Sequence, residues 1–299
     1  MFTDYISSAI ISLGGIFTEQ VLIAIVTIII APFLGGLLTG VDRVITARMQ
    51  GRVGPPLLQP FYDLQKLIGK ERVAVNSTQM AFVLTSLLFA VAALLILAYG
   101  GDLLIFIFVL AFSNIALVMG ATSVRSPYSK VGAQREIIQI LAYEPVLILV
   151  AIGFYLANDT FMTHEILGGS YNLVTKLPLV FLAFLYILTI KLRKSPFDLS
   201  TSHHGHQELI KGITTEFSGL QLAIIELTHW VELVIFMWLI VLFFGQTLWV
   251  GIVVAVLAFI LEMLIDNMTA RTDWKFMVIA TWLVALSAAL TNIIWLYLK

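Results

Sequence analysis

Apolar residues run along this chain in blocks long enough to cross the ~30 Å hydrocarbon core of a bilayer. They fall at about 20–41, 80–99, 103–123, 137–157, 176–193, 221–245, 247–265 and 277–297. In lipid each backbone N–H and C=O must be satisfied within its own segment, so these blocks predict eight transmembrane helices. Residues 5–16 alternate Ile, Ser and Gly and either lie at the interface or extend the first span. The expected fold is an all-α integral membrane protein forming one polytopic domain over residues 1–299.

The polar interruptions give the orientation. With the N-terminus outside, the loop at 42–79 holds Arg43, Arg48, Arg52, Lys66, Lys70 and Arg72, and the next holds Arg125, Lys130 and Arg135. The third, at 194–220 with its flank, holds Lys191, Arg193, Lys194 and Lys211, and the fourth Arg271 and Lys275. Of the 17 basic residues only Lys176 and Lys299 then lie outside. Such a bias places the basic loops in the cytoplasm and both termini outside, in a cytoplasmic membrane. External loops are short and cytoplasmic ones long, so partners are expected to dock from the cytoplasm.

Composition agrees with a lipid-facing protein. Hydrophobic residues make up 60% and charged ones only 12%, against roughly a quarter charged in soluble domains; mean hydropathy is +1.00. A net charge of −1 gives no support for nucleic-acid binding. There is no cysteine, so the chain supplies no disulfide, thiolate zinc site or iron–sulfur ligand. The first residues, MFTDYISSAIISLGG, lack a basic stretch and read as a retained segment rather than a signal peptide.

Carboxylates within the spans are the candidate chemistry, because an ionised acid is costly in hydrocarbon and faces protein or a wet cavity. Glu136, Gln139 and Tyr143 fall within about 60° of arc on the fourth span, with Glu144 about 80° from Glu136. On the sixth span Glu226, His229 and Glu232 follow at three-residue steps, spreading over about 120°. Glu262 and Asp266 lie one turn apart on the seventh, and Glu208 and Glu216 occupy the third cytoplasmic loop. If each acid simply pairs with a neighbouring Arg or Lys, it only locks helices together, a reading that weighs most for Glu262 and Asp266. Stripes of acids without matching internal cations instead suit a proton path, since desolvation favours the neutral carboxyl and lets it load and release. His229 can relay.

Two loops carry further signals. After Gly51, Gly54, Pro55 and Pro56 break the first helix, Phe61, Leu64, Leu67 and Ile68 take helical spacing, predicting a short amphipathic helix at the interface or in the cytoplasm. His203, His204 and His206 invite a metal reading, but their spacing matches no two-histidine helical motif and no cysteine completes a site. No metal is expected; these residues cap and gate a polar loop or contact a partner.

The motifs together resemble a known family. Arg48-Met49-Gln50-Gly51-Arg52-Val53-Gly54-Pro55-Pro56, then Gln59-Pro60 and Asp63, is similar to the first-loop signature of the membrane heel subunit of respiratory complex I and its relatives in energy-converting nickel–iron hydrogenases. Ala142-Tyr143-Glu144, preceded by Arg135 and Gln139, resembles the family's fourth-span motif. Ser195-Pro196-Phe197-Asp198-Leu199, then Glu208-Leu209-Ile210, Gly212 and Glu216-Phe217-Ser218-Gly219, resembles its third-loop motif. Quinone-linked members usually follow Pro-Phe-Asp-Leu with a proline and closely spaced glutamates, whereas here STSHHGHQE follows, as in the hydrogenase branch. Asp266-Asn267 followed by Thr269, Ala270, Arg271 and Trp274 points the same way.

The resemblance implies a subunit that anchors a nickel–iron-type large subunit, an iron–sulfur small subunit and a ferredoxin-like subunit on the cytoplasmic side, beside antiporter-like membrane subunits. The nickel–iron centre and iron–sulfur clusters are expected in those partners and no cofactor in this chain. Electrons from reduced ferredoxin reach protons there, while the membrane side moves protons or sodium. Carried over, Glu136 and Glu144 match the fourth-span motif and Glu208 and Glu216 the loop motif; Glu226, His229 and Glu232 rest on the burial argument. Arg48, Gln50, Arg52, Gly54, Pro55, Asp63, Asp198, His203, His204 and His206 are the expected docking residues. A quinone-reducing or sulfur-reducing relative is the alternative within the family, and a secondary transporter or a passive anchor the alternative outside it.

Overall fold

The computed structural model describes residues 2–71, 76–197, 200 and 212–298, and the side chains of these apart from 2–20 and 77. The protein is an all-helical, multi-pass membrane protein. Among the described residues, seven helices are long and apolar enough to cross a membrane. They lie in α1 (Phe2–Met49), α3 (Ser77–Tyr99), α4 (Leu103–Thr122), α5 (Pro127–Asn158), α9 (Leu220–Leu242), α10 (Leu248–Met268) and the composite segment of α11 (Trp274–Ala280) and α12 (Ser287–Tyr297). Residues 5–16 extend the first span as part of one continuous helix.

The fifth expected span is different. Here α8 (Pro178–Lys191) has only 14 residues, short of the ~20 that crossing lipid alone requires. It still runs from the end of the external loops to the end of the basic loops, because α5, α10 and α12 surround it. Non-spanning backbone at membrane depth is tolerated where protein buries it. At its outer end Asn292 of α12, itself buried, accepts from the backbone N–H of Leu179 (2.8 Å) and Val180 (3.3 Å) and donates to Lys176 O (3.1 Å).

The last span also departs from a regular helix. Residues Thr281–Leu286 form a π-helical stretch between α11 and α12, a local widening that hydrophobicity alone does not reveal. External residues 158–175 contain two short helices, α6 (Thr163–Leu167) and α7 (Leu173–Lys176). They fold over the α3–α4 turn, where Leu103 N donates to Phe161 O at 2.9 Å and Asp102 caps α4 through the N–H of Leu104 and Ile105.

The first cytoplasmic loop turns as its Gly and Pro residues predict: α1 ends at Met49 and Gly51 takes φ +70°. The amphipathic helix is α2 (Gln59–Ile68), opened by Pro60 and laid against α1 and α9. Its Phe61 ring stacks on Phe33 (6.3 Å) and meets Trp230 edge-on (5.2 Å). The close approach of α1 to α9 needs Gly35, since a Cβ there would lie 2.3 Å from the Trp230 carbonyl oxygen.

Candidate functional site

The outer half of the bundle is dry and aromatic. Phe243 meets Phe154 at 4.7 Å and Phe181 at 5.0 Å, with Phe184 and Phe236 beside them. Toward the inner end, that of the basic loops, α4, α5, α8 and α9 exchange these rings for charge. Lys191, the last residue of α8, donates to Asn114 Oδ1 of α4 (2.7 Å) and to Glu232 Oε1 of α9 (3.2 Å). Its ammonium also lies 5.3 Å from the Tyr143 ring and 5.5 Å from that of Phe236. Arg193, two residues on, donates to Glu136 Oε1 of α5 (3.1 Å) and to His229 Nε2 of α9 (2.5 Å). Gln139 Nε2 holds the Phe197 carbonyl at 2.6 Å. Glu136 and Glu232 are 4% and 7% exposed, so these pairs are shielded from solvent.

This corrects the expectation of acids without internal cations. Lys191, Arg193 and Lys194 read as loop residues by sequence, but the short α8 ends inside the protein and carries them with it. The signal was present in Leu188-Thr189-Ile190-Lys191-Leu192-Arg193-Lys194, whose charges sit directly on the shortest apolar block. Asn114, buried in mid-span on α4, gave none beyond its polarity.

Hydrogen-bond roles fix one protonation state. A guanidinium only donates, so the Nε2 of His229 that receives it is unprotonated and the imidazole is neutral in this arrangement. Arg193 stays charged, because the Glu136 carboxylate outweighs the opposing effect of burial. The Tyr143 hydroxyl and Glu144 Oε1 are buried without a hydrogen-bond partner, and Lys191 is the cation acting on Glu144. Pro145 follows Glu144 inside α5 and withholds the N–H that Leu141 O would otherwise receive.

The expected stripe on α9 divides. Each three-residue step lags about 60° around a helix, and the lag accumulates from Glu226 to Glu232. Glu232 faces α8, whereas Glu226 lines a groove at the α2–α9 junction with Arg43, Asp63, Lys66, Lys70 and Trp230. Asp63, expected to meet a partner, is already held by Arg43 (2.5 Å) and Gln59 (2.9 Å). Burial would raise its carboxyl, but these contacts win and hold it below the usual value.

Arg48, Gln50 and Arg52 are exposed, with Arg52 Nε on Gln50 Oε1 at 2.9 Å, and Gly54 and Pro55 are half-buried beside them. Glu216 is half-buried in the turn after Gly212–Thr214, a segment held against α5 by close packing at Gly132, where a Cβ would lie 2.2 Å from Ile213 N. Asp198, His203, His204, His206 and Glu208 lie outside the described residues.

A second group of acids sits across α8. Lys194 Nζ binds Asp42 Oδ2 of α1 (2.5 Å) and Asp266 Oδ2 of α10 (3.2 Å). Ser195 N donates to Asp266 Oδ1 at 2.9 Å, and Thr189 Oγ1 to Glu262 Oε1 at 3.3 Å. Burial opposes the charge on Lys194, yet the two aspartates raise its affinity for a proton above the ordinary lysine value. Asp42 was not singled out by sequence, where it reads as one loop acid among basic residues.

Comparison with known proteins adds a relationship to this geometry. The family model described as NADH dehydrogenase matches residues 21–297. Hydrogenase-4 component C of Escherichia coli is 31% identical over 305 aligned residues, covering 92% of this chain and 96% of that protein. A membrane component of the NADH-quinone oxidoreductase of Thermomicrobium roseum is 27% identical, covering 66% of this chain and 69% of that one. In solved structures, a chain of the membrane-bound sulfane sulfur reductase, an archaeal respiratory membrane complex, superposes with a TM-score of 0.83. The alignment covers 93% of this chain and 99% of that one; at 24% identity the likeness is one of fold.

Proposed function

The chain belongs to the NADH dehydrogenase family, and from that premise we propose that it is the membrane-anchoring, ion-coupling subunit of a multisubunit oxidoreductase. The finer reading is a ferredoxin-linked, hydrogen-evolving complex of the cytoplasmic membrane, in which nickel–iron-type and iron–sulfur subunits dock on the basic loops. Antiporter-like subunits adjoin it in the membrane. The full-length similarity to a hydrogenase-4 component and the histidine-rich segment after Asp198 support this branch. The similarity to a component of a quinone oxidoreductase supports the alternative of a quinone-reducing complex.

One observation carries the coupling role: two buried acid–cation pairs joined by a neutral histidine at the end where a redox arm would dock. Glu136 and His229 compete for the two arms of Arg193. A proton arriving on Glu136 weakens its hold on Arg193, and His229 Nε2 takes a proton only when Arg193 lets go. Lys191 stands in the same relation to Glu232, with Asn114 and the Tyr143 ring as neutral alternatives. Charge therefore moves by exchange of partners in a place that excludes bulk water. Glu144, Glu226, Glu208 and Glu216 are the proposed extensions toward neighbouring subunits and the cytoplasm.

The test uses the whole complex in sealed vesicles, driven by reduced ferredoxin. Glu232→Gln and Glu144→Gln are expected to assemble and still evolve hydrogen, with the ion gradient reduced at least ten-fold. An undiminished gradient in both would leave only a passive anchor. Hydrogen evolution that requires added quinone would move the protein to the quinone-linked branch.

A further inference from the structure

The cluster across α8 is out of electrical balance. Asp42, Asp266 and Glu262 bring three carboxyl groups, and Lys194 is the ammonium they share. Asp266 also has the Ser195 N–H, whereas Glu262, only 2% exposed, has the Thr189 hydroxyl on one oxygen and no hydrogen-bond partner on the other. Asp42 Oδ1 is likewise buried without a partner. A carboxylate so placed is costly unless its charge is neutralised. The charged groups facing Glu262 are Lys194 and Asp266, one of each sign. Among the described residues no three acidic or histidine side chains converge as a metal ion requires, so the missing positive charge is a proton.

The two clusters share a joint. Arg193 has φ +55°, a backbone conformation disfavoured for a residue with a side chain. It sends consecutive cations in opposite directions, Arg193 to Glu136 and His229, Lys194 to Asp42 and Asp266. We propose that Glu262 holds a proton in this arrangement and is a second loading site, coupled to Glu136 and His229 through Lys194 and Arg193. If Glu262 releases its proton, it competes with both aspartates for Lys194, and the pull reaches Arg193 through one peptide bond. The proposal deepens the ion-coupling reading, but the presence of the proton does not depend on pumping.

Infrared difference spectra of the intact complex in membranes at neutral pH test it. Wild type minus Glu262→Gln is expected to show a carboxylic-acid carbonyl band; the absence of any difference would overturn the assignment. Thr189→Val guards against a Gln variant that fails to assemble. Losing the hydroxyl on Oε1 should move the same band to higher frequency, and an unmoved band would place the proton elsewhere. Raising sodium at constant pH should leave the band intact, whereas its disappearance would make the site one for sodium. Glu136→Gln should shift the band across the joint, and no shift would refute the coupling. A confirmed band with an undiminished ion gradient in Glu232→Gln would refute the functional reading and leave the protonation site standing.

Discussion

The two ends of α8 solve one problem in opposite ways. Both ends leave backbone groups at membrane depth, because the helix is too short to reach water at each side. The outer end is closed by a neutral amide, Asn292, above a nest of phenylalanines. The inner end is closed by ions, with Lys191, Arg193 and Lys194 each gripping carboxylates from other helices. A neutral amide suffices for structure at low electrostatic risk. Buried ion pairs are poor stabilisers, since desolvation offsets most of their attraction. Their concentration at one end is therefore better explained by charge movement than by holding the bundle together.

The sharpest test removes charge from the inner end in two steps. Lys191→Met leaves Glu232 buried with only neutral neighbours, which should destabilise the subunit by roughly 3–5 kcal/mol. Adding Glu232→Leu should recover most of that loss, because a well-packed apolar pair replaces an ionic one at little cost. The double variant is expected to assemble and to lose ion transport. Urea titration of the detergent-solubilised complex measures the first effect and vesicle assays the second. If the double variant stayed as unstable as the single, the pair would be a structural fastener and the contrast between the two ends would fail.

At the outer end the effects should be smaller and silent in function. Phe243→Ala removes the ring that joins Phe154, Phe181 and Phe184. In a soluble core this costs ~3–5 kcal/mol. Lipid is as apolar as the core, so only packing is lost here and about 2 kcal/mol is expected. Asn292→Leu strips three backbone groups of α8 and its preceding turn of their partner, for about 1–2 kcal/mol. Both variants should keep a wild-type ratio of ions moved to hydrogen evolved. A changed ratio would extend the coupling machinery into the aromatic half.

Sequence exposed the spans, the break after Met49 and the acids of α5 and α9, since each is a departure from a strong local pattern. It did not expose the cations that meet those acids. Positive charge beside an apolar block looks the same whether the helix ends in water or in protein, and only the packing of α5, α10 and α12 around α8 decides which. The division of the α9 stripe needed the partner helices, because an arc of about 120° is wide enough to face two neighbours. The π-helical turn at Thr281–Leu286 leaves no mark in hydropathy. Asn292 was passed over as one polar residue in a span of otherwise good length.

The weakest ionic contact should mark where charge stops mattering. Arg43 and Asp63 pair at 2.5 Å on the first loop, but their side chains are 41% and 38% exposed, so screening leaves at most about 1 kcal/mol. The Asp63 carboxyl is held below the usual value of ~3.9. Its contribution is therefore complete above that value and disappears only as pH falls through the lower folded one. Docking of α2 should be constant across neutral pH and loosen only below about pH 4. Asp63→Asn should raise amide exchange in Gln59–Ile68 by less than about five-fold at neutral pH, an effect that salt further reduces. Phe61→Ala should raise it more, because the ring contacts with Phe33 and Trp230 hold α2 down without reference to charge. If Asp63→Asn instead freed the helix as fully as Phe61→Ala, ions would be structural fasteners on the loop, and the same role would have to be weighed for the buried pairs below it.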